Sequence, residues 1–169
     1  AVDGMNYKSY DGRENLLTYS EDLSVANWGA SELTKSIVTD VTSPTGAAVC
    51  KITESTTAFT QHLLSRTIGA VNIGDVFTFS VFLKAGTRTE VGLTSGGEPY
   101  IAFDLTDGTV IYNPSNVPTF IVPYPNGWYR IGITVTKTST SGAFYVLPWN
   151  SFGGLNNSYT GDGSYLYVT

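Results

Sequence analysis

Two stretches of strict alternation constrain this chain more than anything else in it. In residues 74–86, Phe77, Phe79, Val81 and Leu83 fall on one face while Thr78, Ser80 and Lys84 fall on the other. In residues 126–137, Tyr129, Ile131, Ile133 and Val135 alternate with Trp128, Arg130, Thr134 and Thr136. Period two marks a strand with one buried face, and the aromatic and β-branched content suits a pleated surface. Two such strands need a common core, so the chain must be built on sheets.

The remaining apolar signal is short and regular, with further strands predicted at 36–41, 47–52, 62–68, 90–94, 101–105, 109–112, 143–147 and 164–169. Turn chemistry lies between them, as in Ser43-Pro-Thr-Gly46, Asp107-Gly108, Pro125-Asn-Gly127, Ser141-Gly142 and Asp162-Gly163. Short strands separated by turns, with no long helical pattern, predict an all-β protein: two antiparallel sheets packed as a β-sandwich of jelly-roll type. Asp107-Gly108 predicts a tight hairpin, since this pair supplies the positive φ angles such a turn wants. Residues 1–13 show no periodicity and read as an arm or linker ahead of one domain spanning 14–169. Ser20 is placed to cap a short helical turn opening with Glu21 and Asp22, with Leu16, Leu17, Leu23 and Trp28 turned to the core.

Charge narrows the partners. Nine basic against fourteen acidic residues leave a formal net charge of −5, and the basic ones are scattered. A nucleic-acid backbone demands a clustered positive footprint, so no nucleic-acid partner is expected. No apolar run approaches the ~20 residues that span a bilayer, so no membrane insertion is expected. Cys50 is the single cysteine and forms no intramolecular disulfide, which leaves packing alone to hold the fold. A first residue other than methionine and an end on a strand predict a processed product or a piece of something longer. A composition rich in Gly, Ser, Thr and Tyr and poor in charge is common among extracellular and virion β-proteins.

Catalytic signatures are sparse, and no enzymatic activity is expected. The only histidine, His62, reads as a strand-edge residue, and no Gly-x-Ser-x-Gly elbow accompanies it. One Cys and one His exclude the familiar zinc spacings, and no Gly-x-x-x-x-Gly-Lys loop is present. Glu98, Asp104, Asp107 or Asp162 could supply two carboxylates about 5 to 10 Å apart, as a glycosidase needs. Each lies in a turn or at a strand end, where solvated carboxylates are ordinary.

Four stretches carry a resemblance. Asn15-Leu-Leu-Thr-Tyr-Ser-Glu-Asp-Leu-Ser24 followed by Trp28, then Phe77-Thr-Phe-Ser-Val-Phe-Leu-Lys-Ala-Gly86, Phe103-Asp-Leu-Thr-Asp-Gly-Thr109 and Asn126-Gly-Trp-Tyr-Arg130 occur in this order. Together they resemble the carbohydrate-binding-module-like jelly-roll domain of bacteriophage tail, fibre and other virion proteins. The resemblance implies a virion or extracellular setting and a non-catalytic role. That role is contact with bacterial surface glycan or assembly with other virion subunits, a homotrimer among the forms such assembly takes. It carries over no catalytic residue and requires no cofactor. It also implies a structural calcium where the N-terminal segment crosses the last strand, with Glu21, Asp22 and Asp162 as oxygen donors. Helix-start and turn chemistry account for the same three residues.

Glycan contact falls to the aromatic residues. Sugars present apolar C–H faces to rings, and flanking amides and hydroxyls take the hydrogen bonds. By alternation Phe82, Tyr100, Trp128, Arg130, Tyr165 and Tyr167 point away from the core, although Trp28 and Trp128 belong to the fold signatures and read as packing. The loop 148–162 combines aromatic rings with Asn and Ser on a Gly-loosened backbone. Trp149, Asn150, Phe152, Asn156, Asn157 and Tyr159 are therefore predicted to contact glycan, in a solvent-facing cluster around Trp149, with Tyr100 and Tyr112 as secondary contacts. The same rings would equally serve a subunit interface. A third reading is an accessory module of a polysaccharide-degrading enzyme.

Overall fold

The computed structural model describes residues 15–17, 20, 22–151 and 157–169. Among them the strands are Gly29–Ser31 (β1), Leu33–Val38 (β2), Val49–Glu54 (β3), Leu63–Ala70 (β4), Val76–Ala85 (β5), Glu90–Ser95 (β6), Ile101–Asp104 (β7), Thr109–Tyr112 (β8), Thr119–Tyr124 (β9), Trp128–Thr136 (β10), Ser141–Pro148 (β11) and Tyr165–Val168 (β12). They form two six-stranded sheets, ordered β1-β4-β11-β6-β7-β8 and β2-β3-β12-β5-β10-β9. Every neighbouring pair is antiparallel, so the protein is an all-β sandwich.

The two alternating stretches become neighbours. β5 and β10 pair along their length, from Trp128 opposite Lys84 to Thr136 opposite Val76. Phe79, Val81, Leu83, Ile131, Ile133 and Val135 on their inner face are all buried, and share one core cluster with Val91, Leu93, Ile101, Phe103, Phe144 and Val146 of the opposite sheet. The Phe79 and Phe144 rings, 5.1 Å apart, join the two layers. Each such side chain contributes roughly 1.5–3 kcal/mol by leaving water. This seam anchors the molecule.

Alternation misses β1 and β9. Strand β9 contains Pro123 and is flanked by Pro118 and Pro125, which read as breakers. It is nonetheless a strand because it lies outermost, beside β10, where a missing N–H can face solvent without loss. Strand β1 is only Gly-Ala-Ser, too short for any period to register.

Two local expectations change. The stretch expected as a capped helical turn forms turns and bends without a helix at residues 22–28, where Asp22 accepts from the amide and hydroxyl of Ser24. An Asx turn has taken the place of a helix cap. Leu23 and Trp28 enter the core and Leu17 packs partly against it, whereas Leu16 stays exposed. The hairpin forms where Asp107-Gly108 predicts it, but with Asp104 opposite Thr109 the connection is residues 105–108, and within it only Gly108 has a positive φ, +73°. Trp128, outward by alternation, is 1% exposed because residue 42 covers it and accepts its indole N–H at 2.9 Å. Its packing role holds.

Candidate functional site

Beyond β11 the chain starts its long loop with Trp149, whose amide donates to the Glu90 carbonyl at 3.0 Å and so extends the β11–β6 ladder. The indole lies on Gly92 of β6, where a Cβ would sit 2.8 Å from the ring. Only a residue without a side chain leaves room for it. Tyr112 and Tyr100 flank the indole with ring centres at 5.5 and 6.1 Å. The structure thus gathers Trp149, Tyr100 and Tyr112 of the predicted set, but Trp149 is 4% exposed. It is the floor of the aromatic cluster rather than its solvent-facing centre, and the half-buried tyrosines are what a ligand could reach.

Asn157 and Tyr159 also turn inward, against the expectation of glycan contact. Asn157 is fully buried at φ +48°; its side-chain amide donates to the Pro148 carbonyl and its Oδ1 accepts from the Asn150 amide, both at 2.9 Å. That closes the loop at its neck. Tyr159 is 6% exposed, donates its hydroxyl to the same Pro148 carbonyl at 3.3 Å, and stacks 4.8 Å from His62. Burial, then the charge of Glu54, pushes its phenol well above the usual range. Amides and phenols that look like sugar donors in sequence are consumed here by backbone groups the loop would otherwise leave unsatisfied. Asn150 is half-buried, and Phe152 and Asn156 lie outside the described residues.

The backbone of Tyr159 pairs with Thr60, and beside this bridge opens a groove of about 480 Å³, lined by Ser31, Phe59, Thr60, Gln61, Leu63, Tyr100 and Ser158. Gln61 donates its side-chain amide to the Tyr100 hydroxyl at 2.9 Å. Only Tyr100 belongs to the predicted set. Phe59 is 86% exposed and holds a left-handed φ of +54°. Strand periodicity does not reach it, because it sits in a loop; the available signal was a lone aromatic within Ser55-Thr-Thr-Ala-Phe-Thr60.

Around Tyr159 and the 55–62 loop lies a set of polar groups in which Glu54 and His62 are buried while Thr57 and Asp162 are exposed. Arg88 grips the Glu54 carboxylate with two bonds of 2.7 and 3.0 Å, and Asp162 lies 3.5 Å from the same guanidinium. Hydrogen bonds from Ser164, then the Arg88 charge, hold the Asp162 carboxyl below its ordinary range. The Glu32 carboxylate accepts the hydroxyls of Ser55 and Thr57, each at 2.6 Å, and these bonds lower it likewise. His62 directly precedes β4 and is completely buried rather than at an exposed edge; its Nε2 is 3.5 Å from the Ser55 hydroxyl and its Nδ1 has no partner among the described residues. Gly161 makes this packing feasible, since a Cβ there would lie 2.0 Å from the Ser55 carbonyl oxygen.

In a nucleophile triad the imidazole stands between hydroxyl and carboxylate. Here Ser55 bonds directly to Glu32, so the contacts hold a loop instead of activating a serine. Glu98 is not the solvated carboxylate expected of a turn: it is 9% exposed and takes the Thr138 amide at 2.7 Å and the Lys137 ammonium at 3.2 Å. Of the suggested calcium donors, Asp22 bonds Ser24, Asp162 faces Arg88, and Glu21 lies outside the described residues. Among the described residues no group of three or more His, Cys, Asp or Glu side chains is placed to hold a metal.

No protein-family model matches the chain, and a search of curated proteins returns no match.

Proposed function

We propose that the protein is a non-catalytic recognition module of a virion, binding carbohydrate on the bacterial surface. The observation that carries this reading is the groove beside the Thr60–Tyr159 bridge, where two aromatic rings, Phe59 and Tyr100, stand among hydroxyl and amide groups. Its volume of about 480 Å³ lies within the range of small-ligand sites. The strand order supports a jelly-roll connectivity: β3-β12-β5-β10 in one sheet is matched by β4-β11-β6-β7 in the other, with β3 to β6 alternating between the two and β6 returning to β7 within its own sheet. The virion setting rests on the four sequence signatures.

Binding of the purified chain to an array of bacterial surface polysaccharides tests this, with Tyr100→Ala alongside. Saturable binding to one glycan class that weakens roughly tenfold in the variant, about 1.4 kcal/mol, is the expected result. Silence across the array would remove carbohydrate as the ligand.

A second reading, assembly with other subunits, is favoured by the outermost strands β8 and β9. Val110 and Ile111 on β8 are each 40% exposed and Val122 on β9 is 43% exposed. Exposed apolar side chains on sheet edges suit a partner strand or subunit. Sedimentation would show a stable trimer or other oligomer, and Ile111→Lys with Val122→Lys would dissociate it.

A further inference from the structure

We infer that the groove takes an uncharged sugar, seated with its apolar face on Phe59; this rests on the carbohydrate reading above. Phe59 is the first reason. A bulky residue at φ +54° adopts a backbone conformation that glycine and asparagine tolerate and phenylalanine does not favour. Strain of this kind persists where the surroundings enforce it, and it clusters at binding sites. The core does not account for it, since the ring is 86% exposed and therefore contributes little to packing. Two Thr60–Tyr159 backbone bonds, at 3.1 and 3.2 Å, fix the residue that follows, so the ring is held over the groove by a braced neighbour.

The second reason is the chemistry of the lining. Ser31, Thr60, Gln61, Tyr100 and Ser158 offer hydroxyls and an amide, and among the described residues no charged side chain lines the groove. A uronate or sialate carboxylate would need a cation or several charge-assisted donors to leave water. The nearest acid in sequence, Glu32 beside Ser31, is held ionised by Ser55 and Thr57 and would repel an anion. Arg88, which lies over the Tyr159 ring, is committed to Glu54. The Tyr100 hydroxyl accepts from Gln61 and keeps its own proton to donate, as a neutral sugar hydroxyl requires.

Titration calorimetry of the full chain with neutral oligosaccharides (hexose and N-acetylhexosamine) and acidic ones (uronate- and sialate-containing) tests this, together with Phe59→Gly. Glycine suits the backbone at this position, so the variant is expected to unfold at the same temperature or a higher one while its affinity for neutral sugar falls at least tenfold. Binding should change little with salt, as befits an uncharged ligand. Preference for acidic sugars would overturn the inference and leave carbohydrate recognition standing. So would neutral binding that Phe59→Gly leaves intact. Loss of an oligomer in Phe59→Gly with sugar binding unchanged would assign the ring to a protein contact and overturn it too. Failure of both sugar classes to bind would bring down the carbohydrate reading itself.

Discussion

Lys137 and Arg88 are each paired with a buried glutamate, yet their surroundings are finished differently. The Lys137 side chain is wholly buried, and its ammonium reaches Gly96 O at 2.7 Å, Ser95 Oγ at 2.9 Å and Glu98 Oε1 at 3.2 Å. Glu98 in turn accepts from Thr138, and the Ser139 hydroxyl bonds Gly96 O. Every proton of the ammonium has an acceptor, and the turn after β6 is locked to the segment after β10. Arg88 grips Glu54 as firmly, but its side chain is 16% exposed; it lies over the Tyr159 ring, which also contacts His62, whose Nδ1 has no partner among the described residues, and Tyr159 pairs with the residue after the strained, exposed Phe59. A region completed for stability alone looks like the first. Incomplete satisfaction and strain gathered beside a groove are consistent with the binding role proposed above.

Lys137→Met should show the largest effect. It strands Glu98 in the interior, and breaking a buried pair costs about 3–5 kcal/mol, read as a lower urea midpoint. Lys137→Met combined with Glu98→Gln should recover at least half of that loss, because the uncompensated charge is then gone. Arg88→Ala should cost less, about 2–3 kcal/mol, since the Arg88 side chain is itself 16% exposed and its truncation lets water reach the Glu54 carboxylate. If Arg88→Ala proved the worse of the two, the contrast between the regions would be wrong.

Acid sharpens the same contrast. Burial works to raise the Glu98 carboxyl, but the Thr138 amide and Lys137 override it and hold the group below its ordinary range. A carboxyl depressed on folding stabilises fully above its unfolded value, near ~4.3, and that contribution is lost as pH falls through the folded value. The free energy of unfolding should therefore decline below about pH 4.5, and Glu98→Gln should decline less over the same interval. Urea titrations at several pH values check this. Equal slopes would mean that Glu98 is not among the groups responsible.

The two regions also differ in how far they can be read from sequence. The β5–β10 seam is legible because burial on one face writes a period of two into successive residues, and Phe79 through Leu83 and Ile131 through Val135 are where alternation places them. The groove leaves no such mark. Trp149 looks like a surface ring until β6 is known to bring Gly92 beneath it, and Asn157 looks like a sugar donor until Pro148 and Asn150 are known to need it. Phe59 is the converse, a ring in a polar loop whose exposure only the tertiary arrangement reveals. Tertiary pairing decides Trp149 and the Phe59 loop across long sequence separation, and a loop closing on itself decides Asn157; period and composition are blind to both. Strand β9 shows the same limit, because its prolines forbid a central strand and permit an edge one.

The smallest effect is expected at His62, and it discriminates most finely. If the imidazole were as well satisfied as Lys137, removing it would strand its partners. Among the described residues it has one distant hydroxyl, Ser55 at 3.5 Å, and a ring contact with Tyr159 at 4.8 Å, while Ser55 keeps its 2.6 Å bond to Glu32 regardless. His62→Leu therefore removes an unsatisfied buried nitrogen and replaces it with apolar volume, a change that costs little when no strong hydrogen bond is lost. Stability should stay within about 1 kcal/mol of the parent, as measured by urea unfolding. Sugar binding should persist as well, because the Thr60–Tyr159 backbone bonds that brace the groove do not pass through the imidazole. A loss approaching that of Lys137→Met would mean that an ordered water completes His62, and that the corner around Tyr159 is as finished as the one around Lys137.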